Sequence, residues 1–214
     1  MISKNNMQHT RYKAIFFDWG GVIARDPGND FLEMMLRQLG ATEVQIAHIF
    51  ATYKIDFMRG KISEQEYWDA LRKEYGLTVH DSISEEFKKW KGLEVDKTIL
   101  ALAQQAKAMG MKIAVLSNIF EPTYNVIKDA GLYGMFDEVI ASCKVGYAKP
   151  DEEIYHLALE RLQVRAEESV FIDDKMRCLE PAQKLGFTTI HAQNHQQLAA
   201  DLSELLQTQA QVKQ

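Results

Sequence analysis

Several apolar runs of this chain close on a residue that can do chemistry. "AIFFD" ends on Asp18, "KIAVLSN" on Ser117 and Asn118, and "VFIDD" on Asp173 and Asp174, while "YAKP" carries Lys149 between them. An aspartate can act as a nucleophile toward phosphorus. Neighbouring carboxylates can hold Mg²⁺, which neutralises phosphate charge and lets an anionic nucleophile approach. A serine hydroxyl and a lysine ammonium suit phosphoryl oxygens. The set is therefore equipment for phosphoryl transfer, built on positioning and electrostatics. Taken singly, each member has a plainer role. A strand-end aspartate caps a turn, Ser117-Asn118 can open the helix at "EPT", Lys149 can be a solvated lysine, and Asp173-Asp174 can cap a helix. Their fixed order, each at the same end of its strand, favours the chemical reading.

The elements that would position them are legible. "YKAIFF", "MKIAVLS", "FDEVIAS", "SVFID" and "FTTIH" read as apolar strands, separated after Val95 by helical patterns with Asp96, Pro122 and Pro150 at their starts. Such alternation predicts an α/β fold with a doubly wound parallel sheet, whose ligands bind beyond the carboxyl ends of the strands. The expected strand order is 5-4-1-2-3, which puts Asp18 and Asp173 on adjacent strands and brings both carboxylates to one crevice. Between the first strand and this series, residues from about Asp30 to Trp90 read as helical, punctuated by capping boxes at Thr42/Gln45, Ser63/Glu66 and Ser82/Glu85. The expected organisation is a discontinuous core, residues 1–26 and 93–214, and an inserted all-helical cap domain, 27–92. "DPGND" and "KGLEVD" are the expected hinges of a cap that closes over the crevice.

Composition narrows the partners. The chain has 214 residues, 46% hydrophobic and 26% charged, and a net charge of -5 with no basic run, which argues against a nucleic-acid partner. No apolar run approaches the roughly 20 residues of a membrane helix. The first residues lack an apolar signal core, so the expected location is cytoplasmic, with Cys143 and Cys178 as reduced thiols. The scattered methionines read as core filler. Nothing in the sequence specifies an oligomeric state.

"FFDWGGV", "VLSN", "KPDEEIY" and "FIDDKMRCLEPAQKLG" resemble, in order, the motifs of the haloacid dehalogenase-like (HAD) hydrolases. The helical insert lies where the helical-cap subgroup carries its cap, and "RGKISEQEYW" is similar to cap sequence of its sugar-phosphate phosphatases. The resemblance implies a Rossmannoid core and a Mg²⁺-dependent phosphatase acting through an aspartyl-phosphate. It implies Asp18 as nucleophile and metal ligand, the Gly20 carbonyl as a second ligand, and Asp173 and Asp174 as further metal-site residues. Ser117 and the backbone at Asn118 would take phosphoryl oxygens, and Lys149 would steady Asp18 and phosphate. Apart from the resemblance, Arg59 in the cap has two readings, a contact to a substrate hydroxyl or phosphate and a plain surface arginine.

Two positions depart from the family pattern. Gly20 stands where most of these phosphatases carry a second aspartate that protonates the leaving group, and Cys178 stands where the fourth motif often has asparagine. Loss of a general acid typically costs about 10² to 10⁴ in rate. The expected substrate is therefore a small phosphorylated metabolite whose leaving group needs little protonation, such as a sugar 1-phosphate. Other readings stay open: a weak or inactive binding protein on this fold, a phosphonoacetaldehyde hydrolase-like enzyme with Lys54 as its cap lysine, and a dehalogenase with Arg25 near the nucleophile.

Overall fold

The computed structural model describes residues 12–25, 30–77, 85 and 93–211. Strand β1 is Ala14–Phe17, followed by helices α1 (Asp30–Gln38), α2 (Glu43–Thr52), α3 (Lys54–Met58) and α4 (Glu64–Tyr75). Then come α5 (Lys97–Ala108), β2 (Lys112–Ser117), α6 (Glu121–Asp129), β3 (Glu138–Ala141) and the short α7 (Ser142–Val145). Helix α8 (Glu152–Leu162), β4 (Ser169–Asp173), α9 (Met176–Lys184), β5 (Thr188–His191) and α10 (His195–Gln211) complete the chain.

The five strands form one parallel sheet in the expected order, β3-β2-β1-β4-β5, with Asp18 and Asp173 on adjacent strands. Alternation along the strands divides the side chains between two cores, as a sheet covered on both faces requires. Ile15, Phe17, Ile113, Val115, Val170 and Ile172 face one core, and Ala14, Phe16, Ala114, Leu116 and Phe171 face the other. The second core is closed by Ile154, Tyr155 and Ala158 of α8 and Leu179 and Ala182 of α9. The first is closed by α5 and α10, and it runs without a break into Leu36, Ile49, Phe57, Tyr67 and Leu71 of helices α1–α4.

Helices α2 and α4 begin at the expected capping boxes. The Thr42 and Ser63 hydroxyls accept from the amides of Gln45 and Glu66, whose side chains answer the cap amides. Ser82 of the box read at Ser82/Glu85, most of the expected hinge "DPGND" and the first two residues of "KGLEVD" lie outside the described residues. The chain leaves the sheet and returns to it side by side: Ala24 and Val95 form an antiparallel bridge, and the Asp96 amide donates to the Ile23 carbonyl at 2.8 Å. No helix among the described residues is long and apolar enough to cross a membrane. Cys143 and Cys178 are buried free thiols, and burial pushes them up to about 12 and about 11, so both stay protonated at neutral pH.

The sequence reads "FDEVIAS" as strand through Ser142, but β3 stops at Ala141 and the chain turns into α7. The Ser142 hydroxyl explains the change. It donates to the Met58 carbonyl at 2.7 Å and accepts the Ile119 amide at 3.0 Å, two partners distant in sequence that no local pattern announces. At the same seam Phe57 stacks on Phe120 with centroids 4.8 Å apart. Gly60, at φ +67°, approaches so closely that a Cβ would lie 2.3 Å from the Cys143 carbonyl oxygen.

Gly60→Ala should therefore unseat the α3–α7 contact. The expected loss is about 1–3 kcal/mol, from the left-handed backbone plus the clash, read as a lower midpoint in urea unfolding. An unchanged midpoint would mean that the seam is looser than its geometry.

Candidate active site

The register of the sheet builds the site. β1 pairs with β4 so that Phe17 lies opposite Ile172, and the Asp18 amide donates to the Ile172 carbonyl at 2.8 Å. The next residues along, Asp18 and Asp173, are thus neighbours at the carboxyl ends of adjacent strands. On the other side β1 pairs with β2, with Phe17 opposite Val115, which brings Ser117 to the same edge. The carboxylates of Asp18, Asp173 and Asp174 gather so that one oxygen from each lies within 4.8 Å of the others.

Lys149 joins them. Its side chain is 1% exposed, and its Nζ lies 3.1 Å from Asp18 Oδ1, 2.5 Å from Asp173 Oδ2 and 2.8 Å from the Leu116 carbonyl to which it donates. The Lys149 backbone is pinned as well. Its amide donates to Asn118 Oδ1 and its carbonyl accepts from Asn118 Nδ2, both at 2.8 Å, beside a cis Lys149–Pro150 peptide. Asp18 Oδ1 also accepts the Trp19 amide at 2.7 Å, and the Ser117 hydroxyl bonds the same carboxylate. Both Asp173 oxygens are engaged, Oδ2 with Lys149 and Oδ1 with the Lys175 amide at 2.8 Å. Asp174 is the most open of the three carboxylates, at 23% side-chain exposure, with Lys175 Nζ 3.5 Å from its Oδ1.

Burial alone would drive Lys149 toward neutrality, but Asp173 and Asp18 outweigh it and hold the ammonium well above the usual lysine range. Asp18 is raised as well, toward its neutral form: burial lifts it above the ordinary carboxylate range against the pull of Lys149, with help from the Asp173 charge. One lysine between two buried acids satisfies itself fully and each acid only in part. The charge left over is what a hard divalent cation would neutralise.

The remaining expected residues are placed as follows. Gly20 lies in the turn after Asp18, outside the left-handed region. Gly21 makes the tight turn at φ +76°, where a Cβ would meet Asp174 Cγ at 2.8 Å. Arg59 pairs with Asp151 rather than standing open, Nη2 to Oδ2 at 2.5 Å. Lys54 lies over the Phe50 ring at 5.1 Å, and Arg25 is exposed with its amide toward the Glu94 carbonyl at 3.4 Å. Asn118 as a clamp on Lys149, and Asp151 as a partner for Arg59, were not read from the sequence. Both are pairings across long stretches of chain with no periodic signal. Trp19 and Tyr133 meet edge-on at 5.0 Å beside Asp18.

A model of the haloacid dehalogenase-like hydrolases matches residues 12–186. The chain belongs to that family. Among curated relatives, the HAD hydrolase is similar to the sesquiterpene phosphatase astK of Aspergillus oryzae, 28% identical over 92% of this chain and 98% of the relative. Among solved structures it resembles a predicted HAD-like family hydrolase from Porphyromonas gingivalis, with a TM-score of 0.76 at 23% identity, covering 91% of this chain and 98% of that one. A HAD family enzyme from Bacteroides thetaiotaomicron, solved with magnesium and inorganic phosphate, has a TM-score of 0.66 at 22% identity, covering 84% of this chain and 93% of that one. These structures share the fold.

The electrostatics predict a pH signature. In EDTA, Lys149→Met should cost about 3–5 kcal/mol at about pH 8, because two buried carboxylates lose their cation. A raised folded pKa for Asp18 means an unfavourable contribution above that pKa, relieved as pH falls through it toward the unfolded value. The deficit of the variant against the natural chain should accordingly shrink by about pH 5 in paired urea titrations. A deficit constant with pH would show that Asp18 is not the repelled group.

Proposed function

We propose that this HAD hydrolase is a Mg²⁺-dependent phosphatase of small phosphate monoesters working through an aspartyl-phosphate. The observation that carries the reading is the buried set of Asp18, Lys149 and Asp173 at the ends of adjacent strands, with Asp174 and Ser117 at the same edge. Three clustered carboxylates are a hard-oxygen donor set that fits Mg²⁺. Asp18, Asp174 and the Gly20 carbonyl are its proposed ligands, with Asp173 holding Lys149 and completing the shell. Mg²⁺ bound there would neutralise phosphate charge. Asp18 attacks phosphorus as the P–O bond to the leaving group breaks, giving an acyl-phosphate that water then hydrolyses. Lys149 orients Asp18 and stabilises equatorial phosphoryl oxygens, and the Ser117 hydroxyl and the backbone at Asn118 complete their hydrogen bonding. The magnesium- and phosphate-bound enzyme of B. thetaiotaomicron, which shares the fold, supports this ligand class.

The core is proposed to be residues 1–26 and 93–214, and the helices of 27–92 a cap that excludes water from the crevice. The side-by-side connections at Ala24 and Val95 are a fitting place for its hinge.

Two outcomes test the mechanism. Hydrolysis of p-nitrophenyl phosphate should vanish in EDTA and return with Mg²⁺, and Asp18→Asn should abolish it without lowering the unfolding midpoint. Activity that survives either change removes the mechanism.

Substrate choice follows from Gly20. Without a carboxylic acid at that position, a leaving group that departs with little protonation is favoured, and an anomeric hydroxyl is more acidic than a primary alcohol. kcat/KM should be higher for glucose 1-phosphate than for glucose 6-phosphate. Gly20→Asp should narrow the gap, and the backbone, outside the left-handed region at this residue, does not penalise the new side chain. A second reading, an apolar alcohol phosphate, is favoured by the similarity to a sesquiterpene phosphatase over nearly its whole length. Farnesyl monophosphate in the same panel separates the two: whichever class has the higher kcat/KM displaces the other.

A further inference from the structure

We propose that Arg59 is a positioning residue for Lys149, acting through Asp151, so that seating of the helical segment and readiness of the lysine are a single event. The inference rests on the phosphatase reading for its activity test, and on the geometry alone for its exchange test.

Asp151 is the hub. Its Oδ2 takes the Arg59 guanidinium at 2.5 Å and also faces the Ala148 amide at 3.3 Å, while its own amide donates to the Ala148 carbonyl at 2.9 Å. Residues 148–151 are thereby closed into a turn around Lys149–Pro150. Asn118 clamps that turn from the end of β2, through both the amide and the carbonyl of Lys149. Asp151 and Asn118 thus fix the backbone from which the Lys149 side chain reaches Asp18 and Asp173.

Arg59 arrives from a different part of the chain. It follows α3, and it meets Asp151 where α3 is seated on α7, with Phe57 on Phe120, the Met58 carbonyl on the Ser142 hydroxyl, and Gly60 against the Cys143 carbonyl. The Arg59 and Asp151 side chains are only 24% and 27% exposed, and Arg59 Nε is buried with no hydrogen-bond partner among the described residues. A guanidinium so placed depends on Asp151 for its charge balance, and a charge-assisted bond of this kind is short and directional. Lifting α3 away would withdraw Arg59, leave the Asp151 carboxylate with the weak 3.3 Å contact to the Ala148 amide, and loosen the turn that carries Lys149. The helical segment therefore completes the lysine site without contributing a group to the phosphate itself.

This role differs from direct binding of the substrate by Arg59, and two substrates distinguish them. Acetyl phosphate offers almost no leaving group for Arg59 to touch, and glucose 1-phosphate offers a whole ring. Arg59→Gln and Asp151→Asn should each lower kcat by about 10- to 100-fold, as a small displacement of a positioned group does. The factor should be the same for both substrates, with KM little changed. The double variant should be no worse than the worse single one, and Arg59→Lys should recover most of the loss. A rise in KM for glucose 1-phosphate alone, or losses that multiply in the double variant, would overturn the proposal. Amide exchange at Ala148 is read in the same proteins without turnover. It should quicken in Arg59→Gln, and unchanged exchange overturns the proposal on its own. If exchange quickens but the natural chain hydrolyses no phosphate ester, the phosphatase reading fails and the positioning role stands.

Discussion

Everything at the site depends on one lysine ammonium buried between two carboxylates. Lys149 Nζ touches both Asp18 and Asp173, with side chains at 1%, 8% and 0% exposure. Burying such charges carries a desolvation penalty of several kcal/mol per ion, recovered only when geometry is good and the remaining donors are filled. Here they are filled: the third Nζ contact is the Leu116 carbonyl, and the second Asp173 oxygen takes the Lys175 amide. That completeness demands the parallel register, the neighbouring places of β1, β2 and β4, and a rigid turn at residues 148–151. The sheet order brings the strand ends to one edge, and the Asn118 and Asp151 contacts hold the turn there.

The same triad leaves a polarity that suits chemistry. One buried cation cannot balance two buried anions with a third carboxylate clustered within 4.8 Å, and the imbalance falls on Asp18, the acid whose pKa rises. An acid held in this state binds a divalent cation readily and is poorly solvated when ionised, which favours nucleophilic attack. Stability and reactivity are in tension at one residue, and Lys149 sets the balance between them.

The strand ends were legible because each closes an apolar run, and apolar runs bounded by turn residues report burial directly. Asp18, Ser117 and the Asp173-Asp174 pair could be read for that reason, as could the capping boxes at Thr42 and Ser63, whose signal spans only four residues. Lys149 was legible only through its place in an ordered set. The supporting contacts were not legible. Asn118 reaches Lys149 across 31 positions, Ser142 reaches Met58 across 84, and Arg59 reaches Asp151 across 92. Such pairings leave no period in a sequence, because they exist only once distant parts of the chain have met. Arg59 read as a substrate contact because a cap arginine has no local partner. Its partner comes from the other side of the seam.

The central position of β1 has a consequence for how the protein is made. β1 leaves the ribosome before the rest of the sheet, ending at Phe17, while its two ladder partners begin at Lys112 and Ser169. During synthesis "AIFF" must wait, unpaired and wholly apolar, while all of α1–α5 emerges, and the acid that follows it meets its lysine only after residue 149. Contacts of such long sequence separation form slowly and leave apolar surface open in the meantime. Helices α1–α4 share a continuous core with the β1 face on which Phe17 lies. They follow β1 from the ribosome ahead of its ladder partners, and so offer the strand that ends at Asp18 an apolar neighbour before its ladder exists.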